Sequence, residues 1–350
     1  MKLRLTELLT IGAIVAAVSS PAQTYTLQDL GTAPGTILSR GNSLNDLGVA
    51  CGTSDYDGYF ATLFSKGQAI QLSTLVAGDH SWAQGIDNSG VIVGYEQVND
   101  TGPSHALVWN NGNLQDITAW SLFPGGATAT LIGKKTGVVV GVGITSNGNG
   151  HMFLYADGQT VDLGPSTTPA TPVAINDSGE ILVNYQITTS SNVPAIYSHG
   201  TFTLLNAPAN ATVTAYGIND NGVVAGGIYY KTNAITPHAG LYSNGAWTDL
   251  GMLAGAGRGT VAWSVNSAGQ MLGMAAYNPV YKPDIGVRTI PCILRNGVWV
   301  DLNTLIPTNS TFYRALSRPV AINDAGQILI NTKNPQTMNG YRNAVLLTPK

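Results

Sequence analysis

Short apolar stretches alternate with polar turns along nearly the whole chain. The clearest unit is YGINDNGVVAGG at residues 216–227, in which one apolar stretch ends at Ile-Asn, a polar turn follows, and a second apolar stretch begins. Glycine adopts the left-handed backbone conformation that closes such a turn without a Cβ clash. The pattern therefore predicts two antiparallel strands joined by a tight turn.

The same unit occurs seven times. A third apolar strand follows in each unit, and in the first six units a second turn ending in glycine and a fourth strand such as WVDLNTL come after it. The turn glycines, separated by 42, 47, 42, 43, 47 and 57 residues, are Gly48, Gly90, Gly137, Gly179, Gly222, Gly269 and Gly326. Four short strands repeated at this period are typical of a β-propeller blade.

The two ends of the chain complement each other. The last unit stops after its third strand, NAVLLTP, whereas the segment from Tyr25, YTLQDLGT, reads as a fourth strand without a blade. Pairing the two would close the ring and remove the exposed edges of an open array. The sequence thus predicts an all-β, seven-bladed β-propeller of four-stranded blades over residues 23–350, closed by the N-terminal strand pairing into the last blade.

The first 22 residues have the pattern of a signal peptide. Lys2 and Arg4 precede an apolar run from Leu8 to Val18 that is too short to span a bilayer, and Ser20 and Ala22 place small residues at a cleavage site. We therefore expect a secreted or periplasmic protein that begins near residue 23. The alternative is an N-terminal membrane anchor.

These motifs resemble the HAF-repeat family of bacterial extracellular repeat proteins. The resemblance rests on AINDSG and GINDNG, on the His-Ala of SHALVW and PHAGLY, and on the Asp-Leu-Gly of QDLGT and TDLGM. It covers nearly the whole mature chain and implies export and a repeat fold, with no established reaction and no catalytic residues. Lys134 and Lys135 depart from the Asn-Asp of the pattern. The His position is occupied in other units by Phe60, Pro194, Pro291 or Asn343.

Polar and aromatic residues that recur at one position in most units are interpreted as structural. The fourth-strand aspartates are expected to tie each blade to its neighbour; they are Asp29, Asp116, Asp162, Asp249 and Asp301. The turn aspartates are expected to bond their own backbone; they are Asp46, Asp177, Asp220 and Asp324. A column of large aromatic residues is expected to pack between blades, as Phe64, Trp109, Tyr155, Tyr197 and Tyr242.

Catalytic and cofactor motifs are absent from the sequence. It contains no nucleophile elbow, phosphate-binding loop or zinc-binding His-Glu-x-x-His, so neither a catalytic residue nor a cofactor or metal is predicted. His105, His151 and His238 share one column, but equivalent positions in separate blades are too far apart to hold one ion. Cys51 and Cys292 lie in apolar strand positions of distant repeats and are expected to be buried thiols instead of a disulfide.

Charge is distributed unevenly along the chain. Residues 251–350 contain nine basic and three acidic residues, a net charge of +6, whereas residues 23–250 carry −10. Guanidinium groups bind carboxylates and sulfates bidentately, and aromatic faces stack on sugar rings. The predicted ligand-binding residues, in loops of blades six and seven, are Arg258, Tyr277, Tyr281, Lys282, Arg288, Phe312, Tyr313, Arg314 and Arg318.

The function that follows is a non-catalytic binding propeller. Its expected partner is an anionic extracellular polysaccharide or a cell-surface component. We expect neither a nucleic-acid partner nor membrane contact after signal cleavage. We expect the protein to be a monomer. The alternatives are a polysaccharide hydrolase or lyase on the same scaffold, a purely structural role in the cell envelope, and a basic segment that is merely a dispersed, solvated surface.

Overall fold

Seven four-stranded antiparallel sheets account for nearly all the regular structure of the protein. The computed structural model describes residues 24–55, 58–164, 170–188, 191–277, 288–333 and 341–350. The predicted signal peptide, residues 1–22, lies outside the described residues. Within them, helical structure amounts to two three-residue 3₁₀ turns, Val98–Asp100 and Leu302–Thr304.

The strands follow one another outward within each blade. The chain starts with β1 (Tyr25–Asp29). Blade one comprises β2 (Leu38–Leu44), β3 (Ala50–Asp55), β4 (Tyr59–Ser65) and β5 (Gln68–Gln71). Blade two comprises β6 (His80–Ile86), β7 (Ile92–Gln97), β8 (Ser104–Asn110) and β9 (Asn113–Asp116). Blade three comprises β10 (Ala127–Ile132), β11 (Val139–Ile144), β12 (Gly150–Ala156) and β13 (Gln159–Asp162).

The remaining blades repeat this order. Blade four comprises β14 (Ala170–Ile175), β15 (Ile181–Thr188), β16 (Ser191–Ser198) and β17 (Thr201–Leu204). Blade five comprises β18 (Ala211–Ile218), β19 (Val224–Tyr230), β20 (His238–Ser243) and β21 (Ala246–Asp249). Blade six comprises β22 (Thr260–Val265), β23 (Met271–Tyr277), β24 (Arg288–Arg295) and β25 (Val298–Asp301). Blade seven begins with β26 (Leu316–Ile322), β27 (Ile328–Lys333) and β28 (Tyr341–Pro349).

Blade seven is completed by the N-terminal strand. β1 pairs antiparallel with β28, from Tyr25 opposite Pro349 to Asp29 opposite Val345. The Tyr25 side chain is fully buried, its backbone N–H donates to the Leu305 carbonyl oxygen, and the Arg295 guanidinium lies 5.7 Å from its ring centroid. The predicted seven-bladed propeller and its closure by the N-terminal strand are confirmed.

In the turn between the first and second strands, one asparagine side chain bonds both its own turn and the neighbouring blade. In blade five the Asn219 Oδ1 accepts from the backbone N–H groups of Asn221 and Val223, each at 3.0 Å, and so closes its own turn. Its Nδ2 donates to the Asn266 carbonyl oxygen of blade six at 2.9 Å. Gly222 completes the turn at φ 71°, where an added Cβ would make only an ordinary contact with the Glu180 carboxylate at 3.8 Å, so its requirement is conformational and not steric.

The same asparagine bond runs through most of the ring. It joins blades one and two, four and five, five and six, six and seven, and seven and one, through Asn45, Asn176, Asn219, Asn266 and Asn323. Blade two has Asp87 here, which cannot donate when ionised. The backbone N–H of Asn88 instead donates to the Lys134 carbonyl oxygen of blade three.

The two families of aspartates have exchanged the roles that the sequence predicted. Turn aspartates bond the neighbouring blade, as when Asp220 Oδ1 accepts from the Asp177 backbone N–H at 2.9 Å. Fourth-strand aspartates bond within their own blade: Asp249 Oδ1 accepts from the Gly251 N–H at 2.7 Å, and its Oδ2 lies 2.8 Å from His238 Nδ1. The spacing of the repeat predicts which residues occupy equivalent positions in the blades. It does not predict whether a carboxylate bonds its own blade or the neighbouring one.

The aromatic column packs between blades, as predicted. Phe64 of blade one joins a cluster with Leu329 and Leu346 of blade seven, and Trp109 of blade two joins one with Cys51 and Ala61 of blade one. Both cysteines are free and buried, which confirms the prediction of two thiols over a disulfide.

Removal of the closing strand tests the ring. A chain that starts at Ala33, and so lacks residues 23–32, should unfold at a lower temperature than a chain that starts at Gln23. The loss should be at least about 3 kcal/mol, since truncating one fully buried aromatic costs roughly 3–5 kcal/mol and Tyr25 is one of the residues removed. Differential scanning calorimetry of both chains measures it. Equal melting temperatures would contradict closure by β1.

Candidate functional site

A central channel runs between the first strands of all seven blades. A cavity of about 210 Å³ in its middle is lined by residues of β2, β6, β10, β14, β18, β22 and β26 and the turns that follow them. We call the face that carries the turns between first and second strands the lower face, and the opposite face the upper face. Antiparallel order places the longer connections, between second and third strands and between blades, on the upper face.

The upper mouth of the channel is wider than its middle. It is a cavity of about 380 Å³ between blades six, seven, one and two. Its lining includes two arginines and four aromatic side chains, and none of the described lining residues is acidic: Arg40, Gly41, Asn42, Thr53, Tyr59, Trp82, Gln84, Tyr95, Trp263, Arg318, Pro319, Val320 and Asn331. Concave sites of this size with a few polar groups suit small ligands.

Aromatic rings form one wall of the upper mouth. Trp82 of β6 stacks on Tyr95 of β7, with ring centroids 4.7 Å apart and planes at 16°. Tyr59 of β4 lies 5.5 Å from Trp82 on the blade-one side and is about 40% exposed. Burial raises the pKa of the Tyr95 hydroxyl, so it is neutral throughout the physiological range. The wall offers apolar surface with hydroxyl groups at its margin.

Arg318 is held against the opposite wall. Its guanidinium lies 5.6 Å from the Trp263 ring centroid, and Trp263 in turn stacks on Tyr216 at 4.9 Å. Arg318 is exposed, and within the described residues no carboxylate forms an ion pair with it. A guanidinium placed on an aromatic face keeps its donors available to a ligand in the cavity.

Arg40 comes from the neighbouring blade, and its backbone is fixed by the closure of the ring. Buried Asn331 of blade seven accepts from the Gly41 N–H at 2.8 Å and donates to the Gly41 carbonyl oxygen at 3.0 Å. One residue further, Asn42 Nδ2 donates to the Ala83 carbonyl oxygen of blade two at 2.8 Å. These bonds place the strands that carry Arg318, Arg40 and Trp82 in a fixed order around the mouth.

The lower mouth is crossed by ion pairs. Lys134 of blade three reaches Asp46 of blade one at 2.9 Å, and Lys135 reaches Asp177 at 2.7 Å. Burial works against ionisation of Asp46, but the bonds and charge of Lys134 and the Asn88 amide outweigh it and hold the pKa of this carboxyl below its usual value. The cavity that remains among these turns is about 50 Å³. The two lysines that depart from the repeat therefore close the channel from below.

The structure separates the ligand-binding residues predicted from sequence. Arg318 lines the upper mouth, and none of the other described members of that set does. Tyr277 donates its hydroxyl to the Ala254 carbonyl oxygen at 2.8 Å, and Phe312 and Tyr313 pack, half-buried, against the core of blades six and seven. These three side chains stabilise the loops and the core and do not form a surface for a sugar.

The rest of the predicted set contributes charge or lies outside the described residues. Arg258 is exposed in the connection before β22, and Arg314 is exposed in the connection before β26, with its guanidinium 5.4 Å from the Tyr313 ring centroid. Both connections lie on the upper face. Tyr281 and Lys282 lie outside the described residues, and Arg288 is described only as the first residue of β24.

Arg40 and the aromatic wall were missed in the sequence, although the repeat contains a signal for them. Arg40, Trp82 and Arg318 each stand eight residues before a turn glycine, whereas blades four to six have Thr171, Thr214 and Val261 there. Tyr95 and Asn331 are the cross-strand partners of Trp82 and Arg318. A comparison of the position eight residues before the turn glycine in all units would have shown that blades seven, one and two differ from blades four to six.

The histidine column has a structural role within each blade. His105, His151 and His238 lie 2.7, 3.0 and 2.8 Å from the fourth-strand aspartates Asp116, Asp162 and Asp249. Where the column departs to Asn343, its Nδ2 donates to both carboxylate oxygens of Asp29 and so replaces the histidine. Among the described residues no group of three or more His, Cys, Asp or Glu side chains is arranged to hold a metal ion.

Solved structures similar to this chain share its fold. The β-propeller domain of the trilobed protease from Pyrococcus furiosus is 10% identical, with a TM-score of 0.58 over 91% of this chain and 96% of that one. A prolyl endopeptidase structure is 10% identical, with a TM-score of 0.53 over 91% of this chain and 50% of that one. TolB from Acinetobacter baumannii is 11% identical, with a TM-score of 0.46 over 93% and 96%. At these identities the likeness concerns the propeller fold alone.

No family model and no curated protein matches the chain. The propeller of the Pyrococcus protein is described as having an open velcro topology, whereas β1 and β28 pair here. In the part of the chain that the structure describes, no helix has the length and apolar character needed to cross a membrane.

Lys134 gives the lower mouth a defined pH response. Lys134→Met should lower the free energy of unfolding at pH 7 by about 1 kcal/mol, a modest value because the ammonium is about a third exposed. In the parent, the depressed pKa of Asp46 stabilises the fold above roughly pH 3.9, and this stabilisation is lost as the pH falls through the lower folded value. In the variant, the bonds from the Asn88 amide and the Asp324 backbone still lower the pKa of Asp46, but the contribution of Lys134 is lost, so the pKa is depressed less than in the parent.

The difference between parent and variant should therefore shrink as the pH falls below about 4. Urea unfolding at pH 7, 5 and 3 measures it. Lys231→Met, which removes an exposed lysine of blade five with no described ion pair, is the matched control. A difference that is constant with pH would show that Lys134 does not act through Asp46.

Proposed function

We propose that this protein is an exported, non-catalytic binding protein that recognises an anionic polysaccharide through its upper face. The observation that carries the proposal is the upper mouth itself, where Arg40 and Arg318 face a cavity that has aromatic walls and no described acidic lining residue. Guanidinium groups favour carboxylates because two N–H donors match two oxygens. A uronic-acid polysaccharide combines that carboxylate with apolar ring faces, which suit the aromatic wall.

The surrounding charge supports the same ligand class. Arg258 and Arg314 lie on upper-face connections beside the blades that form the mouth, so an approaching polyanion meets positive charge before it reaches Arg318. The ion-paired lysines belong to the lower face, where Asp46 and Asp177 neutralise them. The lysines of the lower mouth are thus paired with carboxylates, whereas Arg318 at the upper mouth has no ion pair among the described residues.

Binding without hydrolysis is supported by the chemistry of the lining. A hydrolase needs a general acid and a base or nucleophile at the scissile bond, most often a carboxyl pair. The described lining of the upper mouth has arginine, amide, hydroxyl and aromatic groups, and no carboxylate or histidine. Such a set binds and orients an acidic sugar.

The test is binding of the mature protein to polygalacturonate, with the products analysed for new chain ends. We expect binding that weakens steeply between low salt and about 0.5 M salt, because screening lengths fall well below 10 Å, and no cleavage. The double variant Arg40→Gln with Arg318→Gln should reduce affinity by at least about 10- to 100-fold, since even one charge-assisted hydrogen bond contributes roughly 1.5–3 kcal/mol.

Lys231→Gln removes positive charge from the end of β19 on the upper face of blade five, away from the mouth, and serves as the control. It should bind nearly as the parent does. Both variants should keep the parent melting temperature. Absence of polyuronate binding by the parent at low salt would refute the proposal, and release of new chain ends would favour the hydrolase or lyase alternative.

A further inference from the structure

The cavities along the central channel become smaller from the upper face to the lower face. The cavities along it measure about 380 Å³ at the upper mouth, about 210 Å³ among the first strands and about 50 Å³ among the lower turns. Because Lys134 spans blades three and one and Lys135 bonds Asp177, the lower end is held together by ion pairs between blades. A polymer that enters from above therefore has no exit below.

The described lining of the upper mouth lies within the strands. Every described residue that lines it belongs to a strand: β2, β3, β4, β6, β7, β22, β26 or β27. An internal segment of a polysaccharide would have to enter this cavity and leave it again through the same opening. A chain end needs to enter only once.

We propose that the upper mouth binds the terminal uronic-acid residue of an acidic polysaccharide, end-on, with its carboxylate against Arg318 and Arg40. The inference deepens the proposed function and rests on it. Arg318 is oriented by Trp263, and Arg40 stands on the adjacent strand around the axis, so one carboxylate at the centre of the mouth meets donors from both blades.

The remaining lining groups suit the hydroxyls and ring of a terminal sugar. Gln84 of β6 extends into both the upper mouth and the middle of the channel, and its carboxamide has no protein partner among the described residues. It can donate to and accept from sugar hydroxyls below the carboxylate. Tyr59 and Trp82 border the mouth on the blade-one and blade-two side and can pack against the ring.

The experiment measures whether the number of bound proteins follows the number of polysaccharide chain ends. Equal masses of polygalacturonate, cut by mild acid to several defined mean lengths, are titrated with the mature protein by isothermal titration calorimetry. End-on binding predicts one protein per chain at every length, and a binding capacity per gram that rises in proportion to the number of ends. A short oligogalacturonate should compete with the polymer at equal concentration of ends.

A lateral mode gives the opposite result. If several proteins bind each long chain and the capacity per gram is unchanged by cutting, the end-on inference is overturned while the proposed function stands. If galacturonate of no length binds, the proposed function fails and the inference with it. The two failures are thus distinguishable.

Gln84→Glu provides a second readout inside the channel. A carboxylate placed below the bound uronate should repel it and weaken oligogalacturonate binding by about tenfold or more. Gln71→Glu makes the same charge change on the exposed outer strand of blade one and should leave affinity unchanged. Equal effects of the two substitutions, with both proteins folded by melting temperature, would contradict a ligand deep in the mouth.

Discussion

The ring depends on the hydrogen bonds made by the side-chain carboxamide of the turn asparagine. Its oxygen closes the turn after the first strand and its nitrogen bonds a backbone carbonyl of the next blade, as at Asn219. Asn219 is buried, so each of its groups would be costly to leave unpaired. Because five blades repeat this bond, it links the first strands of most of the ring to one another around the channel.

Departures from the repeat give the channel its two unlike ends. At the lower end blade three has lysines where four other blades have Asn-Asp, and Lys134 reaches Asp46 of blade one. At the upper end the first strands of blades seven, one and two carry Arg318, Arg40 and Trp82 in a column that is threonine or valine in blades four to six. Identical strands would give a symmetric pore. These substitutions give a cavity that is cationic and aromatic on one side and closed below.

Much of the architecture could be predicted because the repeated turn and strand motifs are recognisable in the amino-acid sequence. Turn glycines set the blade count, and the missing fourth strand of the last unit matched the extra strand at Tyr25. The site was harder, because charge counted along the chain favours long loops such as the one with Tyr313, whereas the mouth is assembled across blades. Tyr59 and Tyr95 reach it from third and second strands. The bonding side of each aspartate also required the three-dimensional arrangement.

We infer that repeat positions maintain the ring, whereas the departures from the repeat at the upper mouth bind the ligand. Asn219→Asp tests this most directly, since it keeps the oxygen that closes the turn and loses the donor to blade six. Chemical unfolding and galacturonate affinity should be measured on one preparation. The account predicts a free energy of unfolding lower by about 1–3 kcal/mol with unchanged affinity for the folded protein. Unchanged stability, or loss of affinity at full stability, would contradict it.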